Sequence, residues 1–158
     1  MSRKNELLIS GVRLSAEDIE ELQGLVISDE TEVVQLETKS AFNDLVQVVF
    51  NDFSLVTLVR DYVVTEAITS SYNYIKPVIQ SLKKKGIGVT NVCINKDMTS
   101  KDGVAFNLYV VTRAQKFEII IKELEEVPID KLTSRSRNNT IVVRHDKEGK
   151  LDIFIIGD

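Results

Sequence analysis

The stretch "VTNVCINKDMTSKDGVAFNLYVVT", residues 89–112, decides the fold class. Two runs rich in β-branched and aromatic residues, 89–95 and 104–112, flank a polar segment that ends in Asp102-Gly103. This dipeptide suits a tight or bulged reversal, because glycine adopts a positive φ angle without steric cost. The pattern predicts an antiparallel hairpin that pairs residues 89–95 with 104–112.

A second hairpin is predicted near the end of the chain. The apolar runs "TIVVRH", residues 140–145, and "LDIFIIG", residues 151–157, surround the polar segment "DKEGK". Gly149 is the residue of that segment expected to take a positive φ angle.

One helix is predicted between the two hairpins. We expect Thr112 to cap it and Pro128 to stop it. Four apolar residues at helical spacing form its buried stripe: Phe117, Ile120, Ile121 and Leu124.

The N-terminal part predicts strand, helix and strand. Residues 7–14 and 31–38 have the composition of strands. Between them, Ser15 is placed to cap a short helix, Asp18 to complete a capping box, and Gly24 to end the helix.

Three helical segments are predicted between residues 41 and 85. The second covers Leu55 to Ile68, and the third begins at Pro77 and ends with three lysines before Gly86. The first follows from six apolar residues at i, i+3, i+4, i+7, i+8 and i+11: Phe42, Leu45, Val46, Val49, Phe50 and Phe53.

The predicted order is therefore β-α-β-ααα-ββ-α-ββ. Hairpins mixed with helices are typical of the α+β class. We expect a mainly antiparallel or mixed sheet of about six strands with helices packed on it, built as a single domain over residues 1–158.

Composition favours an ordinary globular protein in a reducing compartment. The 158 residues are 43% hydrophobic and 28% charged, and one cysteine permits no internal disulfide. The most apolar window, residues 45–64, carries Asp52, Arg60 and Asp61, whose charges oppose insertion into a bilayer. We expect a cytoplasmic protein with no membrane partner.

Charge is distributed unevenly along the chain. Residues 14–66 hold 12 acidic and two basic residues, a balance of −10, whereas residues 67–150 hold 15 basic and nine acidic residues, a balance of +6. The two halves either neutralise each other or leave an acidic face for a basic partner. The acidic face would consist of Glu17, Asp18, Glu20 and Glu21.

The sequence contains no recognisable catalytic, metal or cofactor motif. The chain has one cysteine, Cys93, and one histidine, His145, which are too few ligands for a zinc site. No glycine-rich phosphate loop is present. We interpret Cys93 as a core residue and His145 as a solvated turn residue. Three separated acids are interpreted as parts of a solvated face: Asp44, Asp52 and Asp61.

One polar loop, "KLTSRSRNNT" at residues 131–140, resembles a ligand loop in composition. Lys131, Arg135 and Arg137, with Arg144 nearby, could meet phosphate groups, although a plain connector explains the same composition.

From these features we expect a non-enzymatic protein-binding or regulatory module, of inhibitor or immunity type or a homo-oligomer, without a cofactor. The alternative is binding of a phosphoanion, nucleotide or nucleic acid through loop 131–140.

Overall fold

The computed structural model describes residues 4–27, 29–36, 46–57, 62–128 and 139–156, and these residues form an α+β fold on a seven-stranded mixed sheet. The strands are β1 (Asn5–Ser10), β2 (Thr31–Gln35), β3 (Gln47–Thr57), β4 (Asn91–Thr99), β5 (Ala105–Arg113), β6 (Thr140–His145) and β7 (Leu151–Ile156). The helices are α1 (Ala16–Gln23), α2 (Tyr62–Lys84) and α3 (Phe117–Leu124), with a single 3-10 turn, Ala114–Lys116, before α3. The predicted fold class is confirmed.

The strands lie in the order β2-β1-β3-β4-β5-β6-β7. Three neighbouring pairs are parallel, namely β1 with β2, β3 with β4, and β5 with β6, and the other three are antiparallel. Each parallel pair has one helix between its strands in sequence, because a parallel connection must return along the sheet. Both predicted hairpins are confirmed, as β4–β5 and β6–β7, and Gly149 has a φ angle of 81°.

The core lies between one face of the sheet and the helices. Alternate strand residues point to this face, and one row of register partners crosses five strands: Leu7, Phe50, Ile94, Val110 and Val143. Helices α2 and α3 contact each other on the same core, where the rings of Tyr72 and Phe117 stack with their centroids 4.7 Å apart.

Three helices are predicted between residues 41 and 85. The prediction of the first one is wrong for the residues that the structure describes. Residues 47–57 form β3, and residues 42–45 lie outside the described part of the chain. Val48, Phe50 and Asp52 are buried, whereas the residues between them are half-buried, which is the two-residue period of a strand. Hydrogen bonding to β1 on one side and to β4 on the other outweighs the helical spacing of the apolar residues.

The second predicted helix, Leu55 to Ile68, is wrong at its start, because residues 55–57 belong to β3 and residues 58–61 lie outside the described part of the chain. The rest of it and the third predicted helix form one continuous helix, α2, which begins at Tyr62 and contains Pro77. Proline removes the hydrogen bond to the carbonyl of residue i−4, here Asn73. Asn73 and Pro77 are both exposed, so water can satisfy that carbonyl and the helix tolerates the proline. None of the described helices, α2 included, combines the length and the apolar character needed to cross a membrane.

The predicted helix ends are largely confirmed. Ser15 Oγ accepts a hydrogen bond from the Asp18 amide at 3.1 Å, and Asp18 Oδ2 accepts one from the Ser15 amide at 3.2 Å, which completes the capping box. Gly86, with a φ angle of 83°, ends α2. The predicted Thr112 cap is wrong: Thr112 lies in β5, and its hydroxyl is bonded to His145 instead.

Candidate functional site

A buried ion pair joins the two central strands. Asp52 on β3 and Lys96 on β4 are register partners, and both side chains point to the helix-covered face. Only 7% of Asp52 and 4% of Lys96 is exposed, and Lys96 Nζ lies 2.5 Å from Asp52 Oδ2. Because charged side chains are rarely this buried, the pair is the most unusual feature of the core.

The carboxylate of Asp52 is bonded from three directions. Its Oδ1 accepts hydrogen bonds from the Ser54 hydroxyl and from the Ser54 amide, the latter at 3.0 Å. Its Oδ2 accepts from Lys96 and, at 3.2 Å, from the Ser71 hydroxyl of α2. Strand β3, strand β4 and helix α2 therefore converge on one carboxylate.

These contacts determine the protonation state of Asp52. Burial alone would raise the pKa of this carboxyl, but hydrogen bonds from Lys96 and Ser54 outweigh burial and hold the pKa below its ordinary value of 3.8. The side chain is therefore ionised at neutral pH, and the two residues form a true ion pair.

The ion pair lines a cavity of about 410 Å³, which we call the Asp52–Lys96 cavity. The register of β3 against β4 shifts between Asp52 and Val56, and Ser54 lies within this irregularity. Bulges of this kind bend a strand and occur often beside functional sites. The remaining wall combines apolar residues, Phe50, Val56, Val63, Ala67 and Tyr74, with polar residues, Asn5, Glu30, Glu66, Ser70 and Ser71.

The charges around the Asp52–Lys96 cavity are unequal. Among the described residues, its lining includes three carboxylates, Glu30, Asp52 and Glu66, and one cation, Lys96. Glu30 and Glu66 are exposed, and neither forms an ion pair with another described residue. Because Lys96 neutralises Asp52, the described residues of the rim contribute a net negative charge.

Sequence reasoning missed this site. The interpretation of Asp52 as part of a solvated face is wrong, because Asp52 is buried and paired; Asp44 and Asp61 lie outside the described residues. A signal was present in β4, where Val92, Ile94 and Met98 alternate into the core and Lys96 occupies an inward position in the same series. A lysine at an inward strand position requires a buried partner.

A second, basic cavity of about 450 Å³ lies near the last residues of β5 and β6, which are parallel. Four cations line it, Arg113, Lys116, Arg144 and Lys147, with two acids, Asp146 and Glu148. Of the predicted anion-binding residues, only Arg144 can be placed here; Lys131, Arg135 and Arg137 lie outside the described residues. Arg144 is already engaged, since its Nε lies 3.0 Å from Asp152 Oδ2 and its guanidinium lies 5.0 Å from the centroid of the Phe154 ring.

His145 lines the basic cavity but is not a solvated turn residue, so that interpretation is wrong. Only 9% of its side chain is exposed. Its Nε2 lies 2.6 Å from Glu123 Oε1, and its Nδ1 lies 2.8 Å from Thr112 Oγ1. The two ring nitrogens thus have partners in α3 and in β5, respectively. Both ring nitrogens are then satisfied, which explains how a histidine is buried between a helix and two strands.

The predicted acidic face is partly neutralised within the chain. Lys85 Nζ lies 3.1 Å from Asp18 Oδ1 and 2.7 Å from Glu21 Oε2. Hydrogen bonds from Lys85 and from Ser15 lower the pKa of Asp18. Glu17 and Glu20 remain exposed.

Cys93 is a buried residue of β4, as expected for core packing. Burial raises the pKa of its thiol to about 12, so the thiolate needed for nucleophilic attack is scarce at neutral pH. Among the described residues, no group of three or more histidine, cysteine or acidic side chains is arranged to hold a metal ion.

Comparison of the chain with protein-family models, with curated proteins and with solved structures finds no match.

Proposed function

We propose that this protein is a non-enzymatic binding protein and that its ligand is a small molecule held in the Asp52–Lys96 cavity. The observation that supports the proposal is a charged pair, more than nine-tenths buried, in the wall of an open cavity. Removing two charges from water is so unfavourable that an apolar pair of similar volume is often as stable or more stable. A role in orienting a ligand would explain the presence of the pair in this fold.

The geometry of the carboxylate favours binding over catalysis. Four hydrogen bonds already occupy the oxygens of Asp52, and its low pKa makes it a weak general base. The hydroxyls of Ser54 and Ser71 both donate to Asp52, an acceptor poorly suited to taking their protons. An enzyme would need a nucleophile paired with a stronger base.

A cavity-blocking variant tests the proposal. Ala67 of α2 lines the cavity, and Ala67→Phe would fill part of it; Asn73→Phe, at an exposed position of the same helix outside the cavity lining, is the matched control. The assay is a fragment screen by ligand-observed NMR. We expect fragments that bind the wild type to bind Asn73→Phe as well, and to lose binding to Ala67→Phe. Hits that bind Ala67→Phe as well as the wild type would refute the proposed site.

Recognition of a protein partner is the second candidate, and one surface favours it. Leu25 and Ile27 are 42% and 54% exposed, and they lie between the acidic helix α1 and the sheet-edge strand β2. Within the described residues β2 pairs only with β1, and none of these residues occupies its outer edge, where a further strand could be added. A basic, extended segment of a partner or of a second copy of this chain would complement this surface.

Light scattering during size-exclusion chromatography tests the self-association form of this candidate. A dimer that dissociates in the variant Leu25→Glu/Ile27→Glu would support it. A wild-type monomer at high protein concentration would exclude a second copy as the partner.

A further inference from the structure

We propose that the ligand of the Asp52–Lys96 cavity is an organic amine, with a positively charged head at the rim and an apolar body inside. This inference rests on the proposed function and adds the chemical class of the ligand. It draws on three features of the cavity: the charge of its rim, the composition of its wall and the ammonium of Lys96.

The rim favours a cation. Asp52 and Lys96 neutralise each other, which leaves the carboxylates of Glu30 and Glu66 as the remaining charges of the described cavity lining. They come from different parts of the chain, the turn before β2 and the first half of α2, and the fold brings both to one cavity. Like charges around a concave surface raise the local concentration of ligands of opposite sign.

The wall favours an organic body over a bare metal ion. Five apolar residues line the cavity, and two of them, Phe50 and Tyr74, stack their rings with the centroids 5.5 Å apart. The Tyr74 hydroxyl accepts a hydrogen bond from the Ile27 amide at 3.0 Å and contacts Thr31 Oγ1 at 3.0 Å, so the ring is held in place. A fixed aromatic wall suits an apolar or aromatic ligand body, whereas a metal ion would need oxygen or nitrogen ligands there.

At the buried end of the cavity, one N–H group of Lys96 has no acceptor among the described residues. The ammonium of Lys96 has three N–H groups, and its acceptors among the described residues are two, Asp52 Oδ2 at 2.5 Å and the Ser54 carbonyl at 3.4 Å. A hydroxyl oxygen on the ligand would give the third N–H group an acceptor. The favoured ligand is therefore an apolar amine with an oxygen at the end remote from its charge.

Three probes with one common body test the inference: tyramine, 4-ethylphenol and 3-(4-hydroxyphenyl)propanoate. All carry the same phenol, and they differ in whether the other end is an ammonium, uncharged or a carboxylate. By titration calorimetry at low salt we expect tyramine to bind about tenfold more tightly than 4-ethylphenol, because two rim ion pairs contribute about threefold each. The carboxylate should bind most weakly of the three.

Variants that remove one rim charge test whether Glu30 and Glu66 cause the preference for tyramine. We expect Glu30→Gln and Glu66→Gln each to weaken tyramine binding about threefold and to leave 4-ethylphenol binding unchanged. Glu32→Gln, at an exposed acid of β2 that does not line the cavity, is the matched control and should change neither.

The outcomes separate this inference from the proposed function. Absence of tyramine binding at millimolar concentration, equal binding of all three probes, or tighter binding of the carboxylate would overturn the amine assignment. The proposal that the cavity binds a ligand has its own test, which is whether fragments of any charge bind the wild type but not Ala67→Phe.

Discussion

Replacing Lys96 by methionine tests whether the buried ion pair behaves as the structure implies. Methionine has a similar length and no charge, so Asp52 would keep its serine hydrogen bonds but lose the cation 2.5 Å away. Breaking a buried ion pair by removing one partner destabilises proteins by about 3–5 kcal/mol. Since domains are stable by about 5–15 kcal/mol, the variant would lose a large fraction of its free energy of unfolding.

Urea unfolding at pH 7, followed by circular dichroism, measures this loss. With an m-value of about 2 kcal/mol/M, a destabilisation of about 4 kcal/mol lowers the urea midpoint by roughly 2 M. The double variant Asp52→Leu/Lys96→Met should recover most of this stability, because it leaves no unpaired charge in the core. A loss below about 1 kcal/mol in Lys96→Met, or a double variant less stable than either single variant, would refute the reasoning.

The pKa of Asp52 also predicts how the free energy of unfolding changes with pH. In the wild type the pKa of Asp52 is lower in the folded than in the unfolded state, so its contribution is present above about pH 4 and is lost as the pH falls through the folded-state value. In Lys96→Met, burial should dominate and raise the pKa of Asp52, which favours the protonated side chain in the fold. The stability difference between the two proteins should therefore be largest at pH 7 and shrink towards pH 4; a difference that grows on acidification would contradict this assignment.

Three further predictions concern other contacts. Ser15→Ala should lower the free energy of unfolding by about 1 kcal/mol because it removes the capping hydroxyl, whereas Ser15→Gly should cost only a few tenths, and an equal loss for both would argue against the cap. Thr112→Val should destabilise by about 1–3 kcal/mol because it removes the hydroxyl that is hydrogen-bonded to Nδ1 of His145, a loss that urea unfolding detects. If loop 131–140 binds phosphoanions, Arg135→Ala/Arg137→Ala should weaken binding of a single-stranded oligonucleotide and reduce its salt dependence; unchanged binding would remove that hypothesis.

Much of the fold could be predicted because its signals are local. Asp102-Gly103 and Gly149 mark the reversals of two hairpins, and Ser15 with Asp18 marks the start of α1. Each of these features depends on residues close together in the sequence. Their hydrogen bonds and φ angles follow from chemistry that does not require the rest of the fold.

Strand β3 and the site could not be predicted in the same way. The apolar residues of β3 satisfy a helical period and a strand period together, and the buried Asp52 interrupts the apolar alternation that would have distinguished them. The partner that makes this burial possible, Lys96, lies 44 residues away. Only the pairing of β3 with β4 brings the two charges together, so the sequence shows each residue as an isolated charge.

Crystallographic fragment screening of the wild-type protein tests the central claim most directly. We predict that fragments bind in the Asp52–Lys96 cavity more often than anywhere else on the protein, with amines near Glu30 or Glu66 and oxygen atoms near Lys96 Nζ. An empty Asp52–Lys96 cavity in crystals whose fragments bind at other sites would contradict the claim.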